Sequence, residues 1–313
     1  MKKIIVIVLS ILFLSVNTVS SLDISKINNI EKNEREYIAL VVTIVDYEYD
    51  VNDLNIPVDM MYSPLVSAKN WHEENILFVK NENATKENIL KGLDWLADRV
   101  DENDIALFYF GGHGLRKDDE DGDESDGEDE AIATYERGGY ILDDQLKLKF
   151  DNISAGGLFI LIDCCHSGGV VDNDFVDEFE GTGRVVIASD FESAVCLEVK
   201  GLGTLLTLSL KRIISKSMGD VNDDGIISAE ETFSQLKKIF RRLNLIAITG
   251  IFAFVKSIQI IFGRDASRRL VLFGLTGAAL WEMFCIVAFG SYMVPYYPIM
   301  TDNFEGELAF IEV

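Results

Sequence analysis

The chain has 313 residues, a formal net charge of -24 and 48% hydrophobic residues. This length can bury one sizeable core, and the negative charge excludes non-specific nucleic-acid binding, which needs basic patches. Four cysteines, two of them adjacent, do not make a disulfide framework. We expect Cys196 and Cys285 to be buried as small hydrophobic side chains.

The N-terminus has the three zones of a secretory signal peptide. Lys2 and Lys3 come first, an uncharged apolar run covers residues 4–16, and small polar residues follow. The apolar run is short for a membrane-spanning helix, which needs about 20 residues. Residues 1–22 are therefore predicted to be a signal peptide, with a retained N-terminal anchor as the alternative, and residues 23–36 are predicted to be a linker.

Short apolar runs alternate with helical patterns from residue 37 to residue 214. Runs rich in β-branched and aromatic residues predict strands at 37–45, 75–80, 105–110, 158–162 and 184–189. Helices are predicted at 57–71, where Pro64 interrupts the pattern, at 86–99, with Thr85 as N-cap, and at 202–214. The alternation predicts an α/β fold with a mainly parallel central sheet and helices on both faces.

Two of these strands end in residues that can do chemistry. The run 105–110 stops at Gly111-Gly112-His113-Gly114, and the run 158–162 stops at Asp163-Cys164-Cys165-His166-Ser167-Gly168-Gly169. Ligands of open α/β sheets bind where strands reach their carboxyl ends, so an imidazole and a thiol are expected to meet at one edge. A cysteine needs a neighbouring base or cation to ionise near neutral pH. The combination indicates a cysteine nucleophile activated by His113.

These two motifs resemble those of the caspase-like cysteine peptidases, most nearly of metacaspases and prokaryotic caspase homologues. In that family one strand ends in a His-Gly pair and a later strand ends in Asp-x-Cys-His-Ser-Gly. The resemblance implies a caspase-like three-layer sandwich, Cys165 as nucleophile, His113 as base, and an oxyanion hole of backbone N–H groups near Gly114 and Cys165. Two departures are Gly111, where metacaspases often carry Ser, and Cys164 at the variable position.

Cys164 is the alternative nucleophile. Side chains alternate along a strand, so only one of the two adjacent thiols can easily face His113. The position of Cys165 within the family motif favours Cys165. His166 is expected to stabilise its loop rather than to act as a second base.

The resemblance also implies that acidic residues bind an Arg or Lys side chain of the substrate, because paired carboxylates hold a guanidinium by bidentate hydrogen bonds. Asp163 matches one of these residues, and Asp59 is the nearest match to the other. A buried structural cap at Asp163 and a helix-surface position for Asp59 are the alternatives. The predicted function is endopeptidase cleavage of proteins or peptides after Arg or Lys, without an organic cofactor.

Residues 220–231 follow the spacing of an EF-hand calcium loop, with Gly225 at the sharp turn. The predicted calcium ligands are Asp220, Asn222, Asp224, the carbonyl of Ile226, Ser228 and Glu231. Calcium prefers oxygen donors of this kind, in a structural or a regulatory role. A polar turn between two helices, without an ion, is the alternative.

An acidic run covers residues 118–130 and contains no apolar side chain. Such a composition predicts a solvated, disordered loop, with a weak site for calcium or a cationic substrate as the alternative. Residues 139–144 then predict an ordered return of the chain beside the site.

Two apolar stretches, residues 243–262 and 270–294, are each long enough to cross a bilayer. They predict a transmembrane hairpin over 243–294 that returns residues 295–313 to the peptidase domain of residues 37–242. The loop 263–269 carries three arginines, which favours the cytoplasmic side for the loop and, with the predicted signal peptide, a membrane-attached protein whose catalytic domain lies outside the cytoplasm. The basic residues within 237–242 favour the opposite orientation. Two buried core helices with Lys256 paired to Glu282 are the alternative, and they would make the protein secreted or intracellular.

Two other functions are compatible with parts of the sequence. One is a catalytically silent caspase-like scaffold that binds calcium or partners, and the other is an EF-hand-type binding protein whose cysteine and histidine are incidental. The intact Cys-His pair at two strand ends favours the peptidase.

Overall fold

The computed structural model describes residues 34–48, 54, 56–118, 122, 128–164, 179, 181–189, 198–199, 202–215, 218–243 and 298–313. The predicted signal or anchor at 1–22, most of the predicted linker, and the predicted hairpin beyond Leu243 lie outside these residues. The predicted nucleophile, Cys165, also lies outside them.

The strands of the described residues lie in four sheets. In chain order they are β1 Tyr37–Thr43, β2 Ile76–Lys80, β3 Ile105–Gly111, β4 Gly114–Asp118, β5 Glu128–Ala133, β6 Tyr140–Leu142, β7 Gly157–Asp163, β8 Arg184–Ala188, β9 Glu198–Val199, β10 Gly203–Thr204, β11 Ile226–Ser228, β12 Ile299–Asp302 and β13 Ala309–Glu312. The central sheet has the order β12-β8-β7-β3-β1-β2. Neighbouring strands of this sheet run parallel, except that β12 runs antiparallel to β8. The predicted α/β fold with a mainly parallel sheet is confirmed.

Helices cover both faces of this sheet. They are α1 Tyr62–Val66, α2 Lys86–Arg99, α3 Asp143–Phe150, α4 Leu205–Ser215 and α5, described over residues 229–243. Side chains of α4 and α5 pack in one apolar cluster, called the first cluster, and side chains of α2 and α3 pack in the second cluster on the opposite face. The helix α2 begins at the predicted N-cap, Thr85, whose side chain accepts a hydrogen bond from the N–H of Asn88.

The strands β1, β3 and β7 are buried along their whole length. Alternate side chains point to opposite faces of a strand. In β1, for example, Ala39 and Val41 join the first cluster, whereas Leu40 and Val42 join the second. Because both faces are covered, these strands need apolar residues at every position, and this explains their continuous hydrophobic runs.

Two predicted segments differ in the structure. The predicted helix 57–71 is reduced to Tyr62–Val66, and Pro64 lies in its first turn, where its missing N–H is not needed. The acidic run 118–130 is not wholly a solvated loop, because its end forms β5 with Asp129 and Glu130 only 5% and 2% exposed. β5 pairs with β4 on one side and β6 on the other, and this pairing carries the two carboxylates into the interior.

The last described residues pack into the domain. β12 pairs with β8, and β13 pairs antiparallel with β11 of the 220–231 loop. The side chains of Asn70 and Trp71 both donate hydrogen bonds to the carbonyl of Phe310, at 2.9 and 2.7 Å. Within the described part of the chain, no helix has both the length and the apolar character needed to span a bilayer.

Candidate active site

The predicted histidine and cysteine motifs leave the central sheet from neighbouring strands. The last residues of β3 and β7, Gly111 and Asp163, are register partners. The two segments stay linked beyond this pair, because the N–H of Gly112 donates to the carbonyl of Asp163 at 3.3 Å. His113 and Cys165 each follow their strand end by two residues. The register therefore brings the histidine and the start of the cysteine motif to the same edge of the sheet.

Cys164 is the thiol that the structure describes in this motif, and it lies in the core. Its side chain is 1% exposed and packs in the second cluster with Ile160 and Ile162. Reactive cysteines are partly exposed, whereas cysteines buried among apolar groups are inert. Cys164 is thus poorly suited to attack a peptide, which leaves its neighbour, Cys165, as the candidate nucleophile of this motif.

His113 is half-buried and is held by Tyr47 from the loop after β1. The hydroxyl oxygen of Tyr47 accepts a hydrogen bond from the backbone N–H of His113 at 2.8 Å. The two ring centroids lie 4.9 Å apart, with the planes inclined by 33°. A Cβ atom on Gly112 would stand 2.6 Å from the same hydroxyl oxygen, which explains the glycine at this position. Gly114, a predicted oxyanion residue, begins β4 and pairs with Ile132.

Asp163 lies at the end of β7 and is 1% exposed. Its Oδ2 accepts hydrogen bonds from the hydroxyls of Tyr109 and Thr204. Thr204 also accepts the backbone N–H of Thr207 at 3.1 Å, and so it caps the start of α4. The carboxylate is therefore bound at a helix N-terminus, where the helix dipole stabilises negative charge.

Asp59 and its neighbour Met60 have different environments. Asp59 is exposed, and its Oδ2 accepts a hydrogen bond from the hydroxyl of Ser63 at 2.6 Å. Met60 is buried, and its sulfur lies 3.7 Å from the hydroxyl of Thr207. Thr207 belongs to the hydrogen-bonded group of Tyr109, Asp163, Thr204 and Thr207, which we call the Asp163 cluster. The structure thus places Met60, rather than Asp59, against this cluster. A shared role of Asp59 and Asp163 in substrate binding stays a prediction.

Sequence reasoning missed Tyr47, Met60 and Thr204. The phenol of Tyr47 is 66 residues from its partner His113, and the hydroxyl of Thr204 is 41 residues from Asp163. Both contacts depend on the relative position of loops at the sheet edge. The one local signal was the glycine pair before His113, since glycine often marks a place where another group approaches closely.

A group of buried carboxylates lies in and beside the small β4-β5-β6 sheet that follows His113, two of them on β5 and one at the start of α3. We call it the hairpin cluster, and its members are Asp129, Glu130 and Asp143. Burial raises the pKa of Asp143 to about 7, and the negative charge of Asp129 adds to the rise. The Oδ1 of Asp143 accepts the N–H of Asp144, whereas its Oδ2 has no hydrogen-bond partner among the described residues. Arg116 supplies counter-charge, with its Nε 3.7 Å from an oxygen of Glu130.

The 220–231 loop uses its predicted calcium ligands to satisfy backbone groups. Ser228 and Glu231 form a capping box at the start of α5, because each side chain accepts the backbone N–H of the other residue. The carboxylate of Asp220 accepts the N–H groups of Asp224 and Gly225, both at 3.1 Å. The oxygen donors suit a hard cation, but in the described part of the chain no three His, Cys, Asp or Glu side chains converge as metal ligands.

Comparison with known proteins agrees with this geometry. Residues 39–174 match the family described as metacaspase, peptidase C14 domain. The chain is 28% identical to Metacaspase-1 of Eremothecium gossypii, over 53% of this chain and 40% of that protein. It is 35% identical to Metacaspase-3 of Arabidopsis thaliana, over 39% of this chain and 37% of that protein. The match therefore spans less than half the length of either relative.

A solved structure shares the fold. The crystal structure of protein GSU0716 from Geobacter sulfurreducens aligns with a TM-score of 0.51, over 65% of this chain and 88% of that one. The sequences are 16% identical, so this likeness concerns the fold alone.

Proposed function

Since residues 39–174 belong to the metacaspase, peptidase C14 family, we propose that this chain is a cysteine endopeptidase that cleaves proteins or peptides after Arg or Lys. The observation that carries the proposal is the pairing of Gly111 with Asp163, which brings the two motif strands to one sheet edge in register. No organic cofactor is required by this chemistry.

The reaction uses Cys165 and His113. His113 accepts the thiol proton, and the sulfur of Cys165 attacks the carbonyl carbon of the scissile bond. Backbone N–H groups near Gly114 and Cys165 stabilise the oxyanion. Collapse of this tetrahedral intermediate breaks the scissile C–N bond, and His113 gives the proton to the departing amine. Water then hydrolyses the thioester, which releases the carboxylic acid and restores the thiol.

Tyr47 prepares His113 for these proton transfers. Its hydroxyl and its ring contact the backbone and the imidazole of His113, and this contact limits rotation of the histidine. The N–H of His113 is already donated to Tyr47, so a donor to the oxyanion must come from a later residue, such as Gly114. Tyr47→Phe keeps the ring and loses the acceptor, and a kcat reduction of about tenfold with little change in KM is expected for a small loss of alignment.

The test of the nucleophile compares the two adjacent cysteines. Cys165→Ala should lower kcat by at least about 1,000-fold, because the covalent step is lost. Cys164→Ala should keep most of the activity, because this thiol lies in the second cluster. Full activity in Cys165→Ala would reject the assignment, and inactivity of the wild type toward every peptide would favour a silent scaffold.

The proposed specificity depends on Asp163. A negative charge bound at the N-terminus of α4 favours a cationic substrate side chain over an anionic one. Coumarin amides of peptides ending in Arg or Lys should be cleaved at least about 100-fold more efficiently than those ending in Asp, a difference of about 2.7 kcal/mol. Asp163→Asn should reduce this ratio. Preference for Asp-ending peptides would contradict the proposal.

Calcium is proposed to bind the 220–231 loop, on the strength of its EF-hand spacing and oxygen donors. Glu231→Gln separates the two roles of this side chain, because Gln also serves in a capping box but removes the carboxylate. Calcium should raise the Tm of the wild type, and the variant should need at least about tenfold more calcium for the same shift. An unchanged wild-type Tm at millimolar calcium would reject the site.

Membrane attachment through residues 243–294 is proposed from their two long apolar stretches. The full chain should remain with membranes after alkaline carbonate extraction, and an external protease should reach its catalytic domain in intact cells. Release of the full chain by carbonate would contradict a transmembrane hairpin at residues 243–294.

A further inference from the structure

A cavity of about 590 Å³ opens beside His113. His113 and Tyr47 form one part of its wall, and the others are Leu115 and Lys117 of β4 and the turn that contains Arg137. The volume falls within the range of about 300–1,000 Å³ that is usual for ligand sites. The cavity can therefore hold a short peptide segment.

The cavity and Asp163 belong to opposite faces of the central sheet. Tyr47 packs against the second cluster, and the neighbouring Tyr135 donates its N–H to the carbonyl of Ala84, which is also in that cluster. Asp163 bonds Tyr109, a residue of the first cluster. His113 stands at the edge between these two regions.

The proposed reaction determines which part of the substrate passes the cavity. In the proposed mechanism, the side chain before the scissile bond is bound near Asp163, and the departing amine takes its proton from His113. The peptide on the departing side must therefore pass the imidazole. The cavity that His113 itself lines is the space next to that path.

We propose that this cavity binds the first residues of the substrate after the scissile bond. The inference rests on the proposed peptidase function and adds a second binding region to it. Binding there places the departing amine next to the imidazole that protonates it. Substrates that continue beyond the scissile bond should therefore be cleaved better than those that end in a small leaving group.

The experiment uses two substrates with the same Arg-ending sequence. One is a coumarin amide, and the other is an internally quenched peptide that continues for four residues. The measured quantity is the kcat/KM of the long peptide divided by the kcat/KM of the coumarin amide. Leu115→Trp fills the cavity and should lower this ratio by about tenfold, the effect of losing about 1.4 kcal/mol of binding.

A matched control is Leu148→Trp on α3, because Leu148 is 66% exposed and outside the cavity. It should keep the wild-type ratio. Arg137→Trp, in an exposed turn, offers a second way to fill the cavity if Leu115→Trp does not fold. An unchanged ratio in the folded cavity variants would overturn the inference while the peptidase stands. Failure of the wild type to cleave either substrate would instead overturn the proposed function.

Discussion

Two acidic regions of this molecule have similar composition and opposite environments. In the hairpin cluster, Asp129, Glu130 and Asp143 are all buried, and the charge of Asp129 acts on Asp143. In the 220–231 loop, Asp220 and Glu231 instead accept several backbone N–H groups. In the first region burial destabilises the charged form of Asp143. In the second region the charged side chains stabilise a turn by accepting its backbone N–H groups. The place of a carboxylate in the fold, rather than the number of acidic residues around it, therefore decides whether burial destabilises its charge or backbone N–H groups bind it.

The largest expected effect is the pH dependence that Asp143 causes. Its pKa rises from 3.8 in the unfolded chain to about 7 in the folded protein. The folded state therefore holds this proton more tightly, and the stability that the proton provides is complete below pH 4 and is lost as the pH rises to about 7. The loss amounts to at most about 4 kcal/mol, at 1.36 kcal/mol for each unit of pKa shift.

Asp143→Asn imitates the protonated carboxyl and should abolish this loss. Urea unfolding between pH 4 and pH 8 should give a flatter stability profile for the variant, which becomes more stable than the wild type at pH 8. The matched control is Asp224→Asn in the 220–231 loop, where the side chain is exposed and a change within about 0.5 kcal/mol is expected. If the stability of Asp143→Asn fell with pH in parallel with that of the wild type, the burial of Asp143 would not be the cause of the pH dependence.

The second effect concerns the counter-charge of the hairpin cluster. Arg116→Met leaves the 3% exposed carboxylate of Glu130 without the cation beside it. Loss of one partner of a fully buried pair costs about 3–5 kcal/mol, and the 29% exposure of the Arg116 side chain reduces the expected loss of stability to about 2 kcal/mol. Denaturant unfolding at pH 7.5 measures it.

Lys91→Met provides the comparison for Arg116→Met. It breaks the exposed pair between Lys91 and Glu87, whose side chains are 66% and 75% exposed. Exposed pairs of this kind contribute little to stability because water screens them, so a much smaller loss is expected than for Arg116→Met. Equal effects of the two variants would mean that Glu130 does not depend on Arg116.

The smallest effect is expected in the 220–231 loop. With a chelator present, Glu231→Ala should lower the free energy of unfolding by about 1 kcal/mol, because it removes the capping box at the start of α5. Glu231→Gln should lose less, since Gln can accept the same N–H group. Equal losses for the two variants would show that the charge itself, and not the cap, stabilises the loop.

The sequence predicted those features that local patterns encode. Continuous apolar runs identified β1, β3 and β7, and the N-cap Thr85 marked the start of α2. The strand β5 was missed, because Asp129 and Glu130 enter a sheet only when Lys117 and Arg116 lie opposite them on β4. The contacts of Tyr47 and Thr204 were also missed, because each joins segments that are distant in the chain.

The edge position of β12 has a consequence for synthesis of the chain. β8 is buried along its length and pairs with β7 on one side, and its other side is covered only when residues 299–302 have been made. Until then, β8 offers unpaired backbone groups to any other copy of the chain. Chains that stop before Ile299 should therefore aggregate during expression, and supplying the missing strand as a separate peptide should partly restore their solubility.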